Sequence, residues 1–279
     1  MATKNNYVAF NTDYDIKCLF KLAEHFTDSV VIKFDTNGMS FQIMDVSHTC
    51  LLAGNIKSDK FKTYEIYKES ELAIFISAFI KCFSISGPKP QVSWEWDNNT
   101  DIVHLKVIPE NETKYQSFFG EAKLLDFDME DKRLTLPETK WETYQVNTES
   151  LKKALNCIRR LDANCRSVYI HPDNNKIKVM ADTEHIRNAT IYVDIEGDTK
   201  NNEKEKNNDD NDDEGFWSEE DLDPFTNMSY QITLLTKVFD TISNISDSIN
   251  ISWAEGRPLF IECSDFQIYF SPIIEETFD

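Results

Sequence analysis

Glycine is scarce, 7 of 279 residues, too few for the Gly-rich loops whose backbone cradles nucleotide phosphates. Six cysteines are present, none in C-x-x-C spacing, which argues against zinc ribbons and redox dithiols. No apolar run approaches the ~20 residues that span a bilayer, so no membrane partner is expected. The opening MATKNNYVAF is too polar for a signal peptide. No motif for catalysis, metal ligation or a cofactor is present, so none of these is expected. Positive charge is short as well: the formal net charge is −20 and the pI about 4.6. Phosphate binding needs Lys and Arg, so contact with nucleic acid requires a segregated basic face. On charge alone, an acidic protein that avoids nucleic acid is the simpler reading.

What is present supports a sizeable core: 41% hydrophobic and 12% aromatic residues. Cys18, Cys50, Cys82, Cys157, Cys165 and Cys263 are expected to be reduced thiols packed as small hydrophobes. The chain also repeats itself. Helical spacing through Ile16, Leu19, Phe20, Ala23 and Phe26 recurs through Leu151, Leu155, Ile158 and Leu161, about 135 positions later. A strand–turn–strand unit follows each: VVIKF-DTNG-MSFQIMD, with the hairpin signal Asn37-Gly38, and SVYIH-PDNN-KIKVMAD. A second helix, 71–83, aligns without gaps to 230–242 at an offset of 159, which also pairs VSW (92–94) with ISW (251–253). The offset grows by 24, which locates an insertion in the second copy. Glu203–Asp223 holds eleven acids and two lysines and can bury almost nothing. A disordered loop is expected over about 196–226, with Phe216-Trp217 a pair of stray aromatics or a small docking element.

The fold class expected is α+β: two topologically equivalent domains of antiparallel sheets with two helices each. The divisions are 1–122, a connector at 123–140 and 141–279. Edge strands are expected within Lys114–Glu121 and Glu184–Asp194. Open edges need cover, and pairing one copy's edge with the other's in a neighbouring subunit closes a ring; a monomer with blunted edges is the alternative. Lys17, Lys21 and His25 form a stripe at i, i+4, i+8; Lys152, Lys153, Arg159 and Arg160 lie around Asn156, with Lys81 and Lys237 on the later helices. A ring lined by these helices has a basic bore that holds duplex DNA by its phosphates, without sequence preference. Solvated lysines on ordinary exposed faces are the competing reading, and Glu24 and Asp240 dilute the field.

Four segments resemble the proliferating cell nuclear antigen family of sliding clamps: GMSFQIMDVSHTCLL (38–52), FKTYEI (61–66), KLLDFDMEDKRLTLP (123–137) and IYFSPIIEE (268–276). The resemblance implies a non-enzymatic homotrimer around duplex DNA, in a nucleus or a cytoplasmic virus factory. It implies that a clamp loader places the ring and that DNA polymerase and other factors are tethered by a glutamine–aromatic docking motif. The pocket for that motif maps onto Met44, His48, Thr49 and Leu51, then Leu134, Leu136 and Pro137 of the connector, then Pro258, Tyr269, Ser271 and Pro272. These residues pool aliphatic, proline and tyrosine surface, which suits aromatic anchors. Thr49 and Ser271 make the pocket more polar than is usual in the family. A Lys/Asn/Ile-rich composition suggests an AT-rich genome, as in a protist or a large DNA virus. The alternatives are a subunit of a hetero-oligomeric checkpoint-type clamp and a monomeric viral processivity factor. Less favoured is an enzyme using Asp126/Asp128, which have no supporting His or Gly-rich loop.

Overall fold

In the computed structural model, residues 5–11, 16–87, 89–126, 134, 141–196, 228–254 and 257–273 are described. Leu136, Pro137 and nearly all of the acidic segment at 196–226 therefore lie outside the described residues. The first copy runs β1 (Asn6–Phe10), α1 (Ile16–Glu24), β2 (Ser29–Phe34), β3 (Gly38–Met44), β4 (Cys50–Lys57), β5 (Phe61–Glu65), β6 (Ser70–Phe75), α2 (Ile76–Ile85), β7 (Gln91–Trp96), β8 (Ile102–Ile108) and β9 (Phe118–Lys123). The second runs β10 (Glu142–Asn147), α3 (Thr148–Leu161), β11 (Ser167–Asp173), β12 (Lys176–Ala181), β13 (Ala189–Asp194), β14 (Ser229–Gln231), α4 (Ile232–Ile242), β15 (Ser248–Trp253), β16 (Leu259–Cys263) and β17 (Phe266–Phe270). The protein is α+β, with two equivalent halves of antiparallel strands and two helices each.

Local chemistry explains these elements. In β2, Val30, Ile32 and Phe34 are buried and alternate with half-buried neighbours, the period-2 pattern of a strand with one face on a core. At the β2–β3 turn, Asp35 Oδ1 accepts from the amides of Asn37 (2.7 Å) and Gly38 (3.2 Å). Gly38 is required there: a Cβ would sit 2.1 Å from the Ile56 carbonyl oxygen. In α1, Ile16, Leu19, Phe20 and Ala23 are buried, the i, i+3, i+4, i+7 stripe of an amphipathic helix. In α3, the Asn147 side chain caps the helix by accepting from Ser150 N at 2.9 Å.

Three sheets result. Five strands run β5-β1-β7-β8-β9, four run β13-β12-β11-β14, and eight run β10-β15-β16-β17-β4-β3-β2-β6. The eight-stranded sheet crosses from one copy to the other at β4·β17, where Leu52 faces Ile268. Strands β9 and β13 end their sheets; β13 falls within the expected stretch Glu184–Asp194, while β9 overlaps Lys114–Glu121 and runs two residues past it to Lys123.

The repeat is real, but its second half is offset differently from the gapless sequence match. Ile76 and Ile232 open α2 and α4, and their amides donate to the carbonyls of Asp28 and Arg166, so the helices correspond at 156 rather than 159. Buried Ile76, Phe79 and Phe83 then match Ile232, Leu235 and Phe239. Trp253 corresponds to Trp96, not Trp94, since Trp253 faces Glu142 as Trp96 faces Asn6. Both misreadings equal about one repeat of the element, three residues in a helix and two in a strand, which leaves the inside–outside pattern unchanged.

The core of the first copy is aromatic. Phe79 packs on Phe20 (centroids 5.6 Å) and Trp94 (5.1 Å), and Phe34 on Trp96 (4.8 Å). Trp96 Nε1 donates to Ser70 Oγ and Trp253 Nε1 to the Ile170 carbonyl, each at 3.0 Å, whereas the buried Trp94 Nε1 has no partner among the described residues. All six cysteines are free. Cys18, Cys50 and Cys263 are buried as expected, but Cys82 and Cys165 are half-buried and Cys157 is exposed, because it lies one turn from Lys153 on the solvent face of α3.

The helices form one layer in the order α2, α1, α4, α3. At its centre, His25, directly after α1, meets Thr241 of α4 (Nε2···Oγ1 3.0 Å). Thr241 Oγ1 donates to the Lys237 carbonyl, so it accepts from the imidazole N–H. Burial lowers the His25 pKa; Lys237 lowers it further, and Glu24 and Asp240 oppose. A lowered pKa makes the neutral ring the native form. Its stabilisation is complete above the ordinary value of 6.5 and is lost as the pH falls. Thermal midpoints measured downward from pH 7.5 should therefore decline less steeply in His25→Gln than in wild type; equal slopes would rule out this contact as the cause.

Candidate docking pocket and nucleic-acid interface

The outer face of the eight-stranded sheet carries a transverse row of side chains. Met44 faces Leu51, Leu51 faces Tyr269 and Tyr269 faces Phe260. Opposed residues on antiparallel strands point the same way, so four strands put these side chains side by side. Tyr269 and Phe260 stack at 4.7 Å and 13°, and Trp141 packs on Phe260 at 5.4 Å. Burial, then the Glu262 charge, pushes the Tyr269 phenol up to about 12, so it stays protonated. Pro258 is half-buried two residues before Phe260, and Ser271 and Pro272 follow β17 directly. Ser271 N donates to the Thr49 carbonyl at 2.8 Å.

One carboxylate shapes the wall of this row. Asp45 is 7% exposed. Its Oδ1 accepts from the amides of Thr49 (2.7 Å) and Cys50 (2.6 Å), and its Oδ2 from Ser47 N (3.2 Å), Thr49 Oγ1 (3.2 Å) and the Ser47 hydroxyl. Burial alone would raise the Asp45 pKa; the Ser47 hydroxyl and the three amides outweigh it and hold the carboxyl below its ordinary range. This network keeps His48 in the left-handed region (φ 59°), with its ring exposed beside Thr49.

The connector meets the row at Leu134. Gln42 of β3 grips it twice: Leu134 N donates to Oε1 at 2.9 Å and Nε2 donates to the Leu134 carbonyl at 3.1 Å. Leu134 remains 47% exposed, an apolar side chain held open above Met44. The structure thus brings together Met44, His48, Thr49, Leu51, Leu134, Pro258, Tyr269, Ser271 and Pro272. Gln42, Trp141 and Phe260 belong to the same surface and were missed. Period-2 spacing puts Phe260 on one face with Pro258, but its contact with Tyr269 depends on strand pairing.

The expected DNA-facing residues all sit in the helix layer. The four helices carry eight cations (Lys17, Lys21, Lys81, Lys152, Lys153, Arg159, Arg160 and Lys237) against three carboxylates (Glu24, Glu149 and Asp240), a balance of +5 in a chain of −20. Lys21, Lys81, Lys153, Arg159, Arg160 and Lys237 are exposed and Lys17 is half-buried. Lys152 differs: its Nζ lies 3.4 Å from Glu149, 3.8 Å from Asp240 and 3.1 Å from Ser243 Oγ, tying α3 to α4.

Comparison with known proteins bears on the first half. Residues 10–131 match the family described as proliferating cell nuclear antigen, N-terminal domain. Over these residues the chain is similar to the proliferating cell nuclear antigen family. It is 27% identical over 124 residues to the probable DNA polymerase sliding clamp 2 of Paramecium bursaria Chlorella virus 1, covering 44% of this chain and 43% of that protein. It is 28% identical over 127 residues to proliferating cell nuclear antigen 2 of Plasmodium falciparum (isolate 3D7), covering 45% and 48%. The chain thus spans a little under half the length of these relatives. Met44, His48, Thr49 and Leu51 fall inside the family match. Tyr269 and Leu134 fall outside it, and tertiary contact alone groups them with the rest.

Asp45→Asn should cost about 1–3 kcal/mol at pH 7 through lost charged hydrogen bonds. Because the native carboxyl is held low, its contribution is present above the ordinary 3.8 and disappears as the pH falls through the native value. Denaturant midpoints of wild type and variant should therefore converge below about pH 3.8; a gap that stays constant would contradict this.

Proposed function

We propose that this chain is the subunit of a DNA sliding clamp, a non-enzymatic ring that encircles duplex DNA and tethers DNA polymerase and other replication or repair factors. The observation that carries the reading is the β4·β17 junction. It joins the two copies inside one chain, and it leaves the corresponding strands, β13 and β9, as edges at the two far ends. Repeating the same junction between chains is head-to-tail and closes by rotation. Three chains supply six units, which accords with the homotrimer implied by the family resemblance. The helix layer, with its excess of cations, then lines the bore and holds phosphates without reading sequence. The row Met44–Leu51–Tyr269–Phe260 beneath Leu134 takes the aromatic anchors of a glutamine–aromatic peptide. A clamp loader opens the ring, in a nucleus or a cytoplasmic virus factory.

Light scattering at micromolar concentration should give the mass of three chains. A monomer, or assembly only with other subunits, would overturn the homotrimer. A glutamine–aromatic peptide should bind wild type and bind Tyr269→Ala about 30-fold more weakly, the loss expected of a central anchor; equal binding would defeat the pocket assignment. Reversing charge at Lys21, Lys81 and Lys153 together should weaken DNA-dependent stimulation of polymerase and flatten its salt dependence, with peptide binding intact. Loss of both functions would point instead to misfolding.

A further inference from the structure

The junction inside the chain predicts which residues meet between chains. Val103 faces Ala122 as Leu259 faces Phe270, so Ala122 of β9 stands where Phe270 stands in β17. Phe41 faces Gly54 as Val179 faces Ile191, so Ile191 stands where Gly54 stands, and Arg187 lies in the turn that leads into β13. The inner pair Phe266↔Gly54 therefore becomes Phe118↔Ile191 between chains, which brings the turn that holds Arg187 towards the Ala122 end of β9.

The chemistry of the two junctions differs. Inside the chain, Cys50 and Phe270 are each 2% exposed and fill the space with apolar atoms. On the free β9 side that space is open: a cavity of about 1080 Å³ lined by Phe75, Ala78, Phe118 and Ala122. Glu71, Asp101 and Asp126 also line it, against one cation, Lys123, whose Nζ lies 3.8 Å from Asp101. The opposite edge has the matching features. Leu161, 50% exposed, occupies the place of Phe26, which is 3% exposed at the inner junction. Arg187 is exposed and has no ion pair among the described residues. Of the ten exposed large apolar side chains among the described residues, Phe75, Ile85 and Phe119 lie on the β9 side and Leu161, Ile186 and Tyr192 on the β13 side, so six of the ten are at the two edges.

We propose that the chain recognises a second copy of itself by a charge key, Arg187 of one protomer entering the acidic cavity between β9 and α2 of the next while Leu161 fills its apolar floor. The proposal rests on the ring reading above and adds to it that self-assembly is electrostatically selected. Two acidic β9 edges repel one another, and an uncharged edge leaves the carboxylates without a partner, so a cationic edge is selected; like charges brought together at an interface are strongly disfavoured.

Light scattering and sedimentation across a concentration series test it on the full chain. Wild type should assemble, and more weakly as NaCl rises from low to about 0.5 M, where screening shortens to a few ångströms. Arg187→Glu should weaken assembly at least about tenfold, with the same thermal midpoint as monomeric wild type. The double variant Glu71→Arg/Asp101→Arg should do likewise. Combining Arg187→Glu with Glu71→Arg/Asp101→Arg should restore assembly. A wild type that never assembles removes the ring and the key together. An assembling wild type with an unaffected Arg187→Glu overturns the key and leaves the ring standing, and so does a triple variant that fails to recover.

Discussion

The pairing of β4 with β17 is the constraint on which the rest depends. It fuses half of each copy into one eight-stranded sheet, so the helices that pack on these sheets fall into one layer. It also leaves β9 and β13 unpaired at opposite ends. Exposed edges are a liability that invites pairing. Here the two edges are the sequence-repeat counterparts of a pair already formed, so each is shaped for the other.

The same junction explains why a nearly symmetric chain has one docking row. At the inner junction the outer face shows Met44, Leu51, Phe260 and Tyr269. At the corresponding edge positions it shows Asp182, Asn188, His104 and Glu121, with His104 Nδ1 3.6 Å from Glu121. Backbone geometry repeats, but side-chain chemistry does not. The inner junction offers an apolar floor, and the corresponding edge offers solvated polar groups. Asp45 then adds rigidity, since its carboxylate holds the loop that walls the row.

Charge is segregated on the same plan. The chain is strongly acidic, yet its helices carry an excess of cations and its β9 cavity an excess of carboxylates. Screening confines such fields to about 10 Å at physiological salt, so local sign, more than net charge, determines what approaches each face. Acidity as a whole keeps the outside unattractive to nucleic acid.

Hairpin turn, α+β class, duplication and the presence of four helices could be read directly, because 3.6- and 2-residue periods and an Asn-Gly turn are local properties of the chain; the helix expected over 71–83 instead begins at Ile76, and 71–75 belong to β6, since an apolar run of that length suits either element. The edge strands were legible too, since the repeat marks which strands come last in each copy. The true register of the second half was not: a shift of one helical turn or one strand period leaves the pattern of buried positions the same. The docking row was legible only in part. Met44, His48 and Leu51 stand together in sequence, but Phe260 reaches Tyr269, and Gln42 reaches Leu134, 92 residues away, through pairings of strands distant in sequence. Sequence by itself determined the elements and their order, because local propensity and periodicity are written residue by residue. Tertiary structure alone decided which faces meet, because pairing across a sheet depends on register, and register is settled by the packing of the whole core.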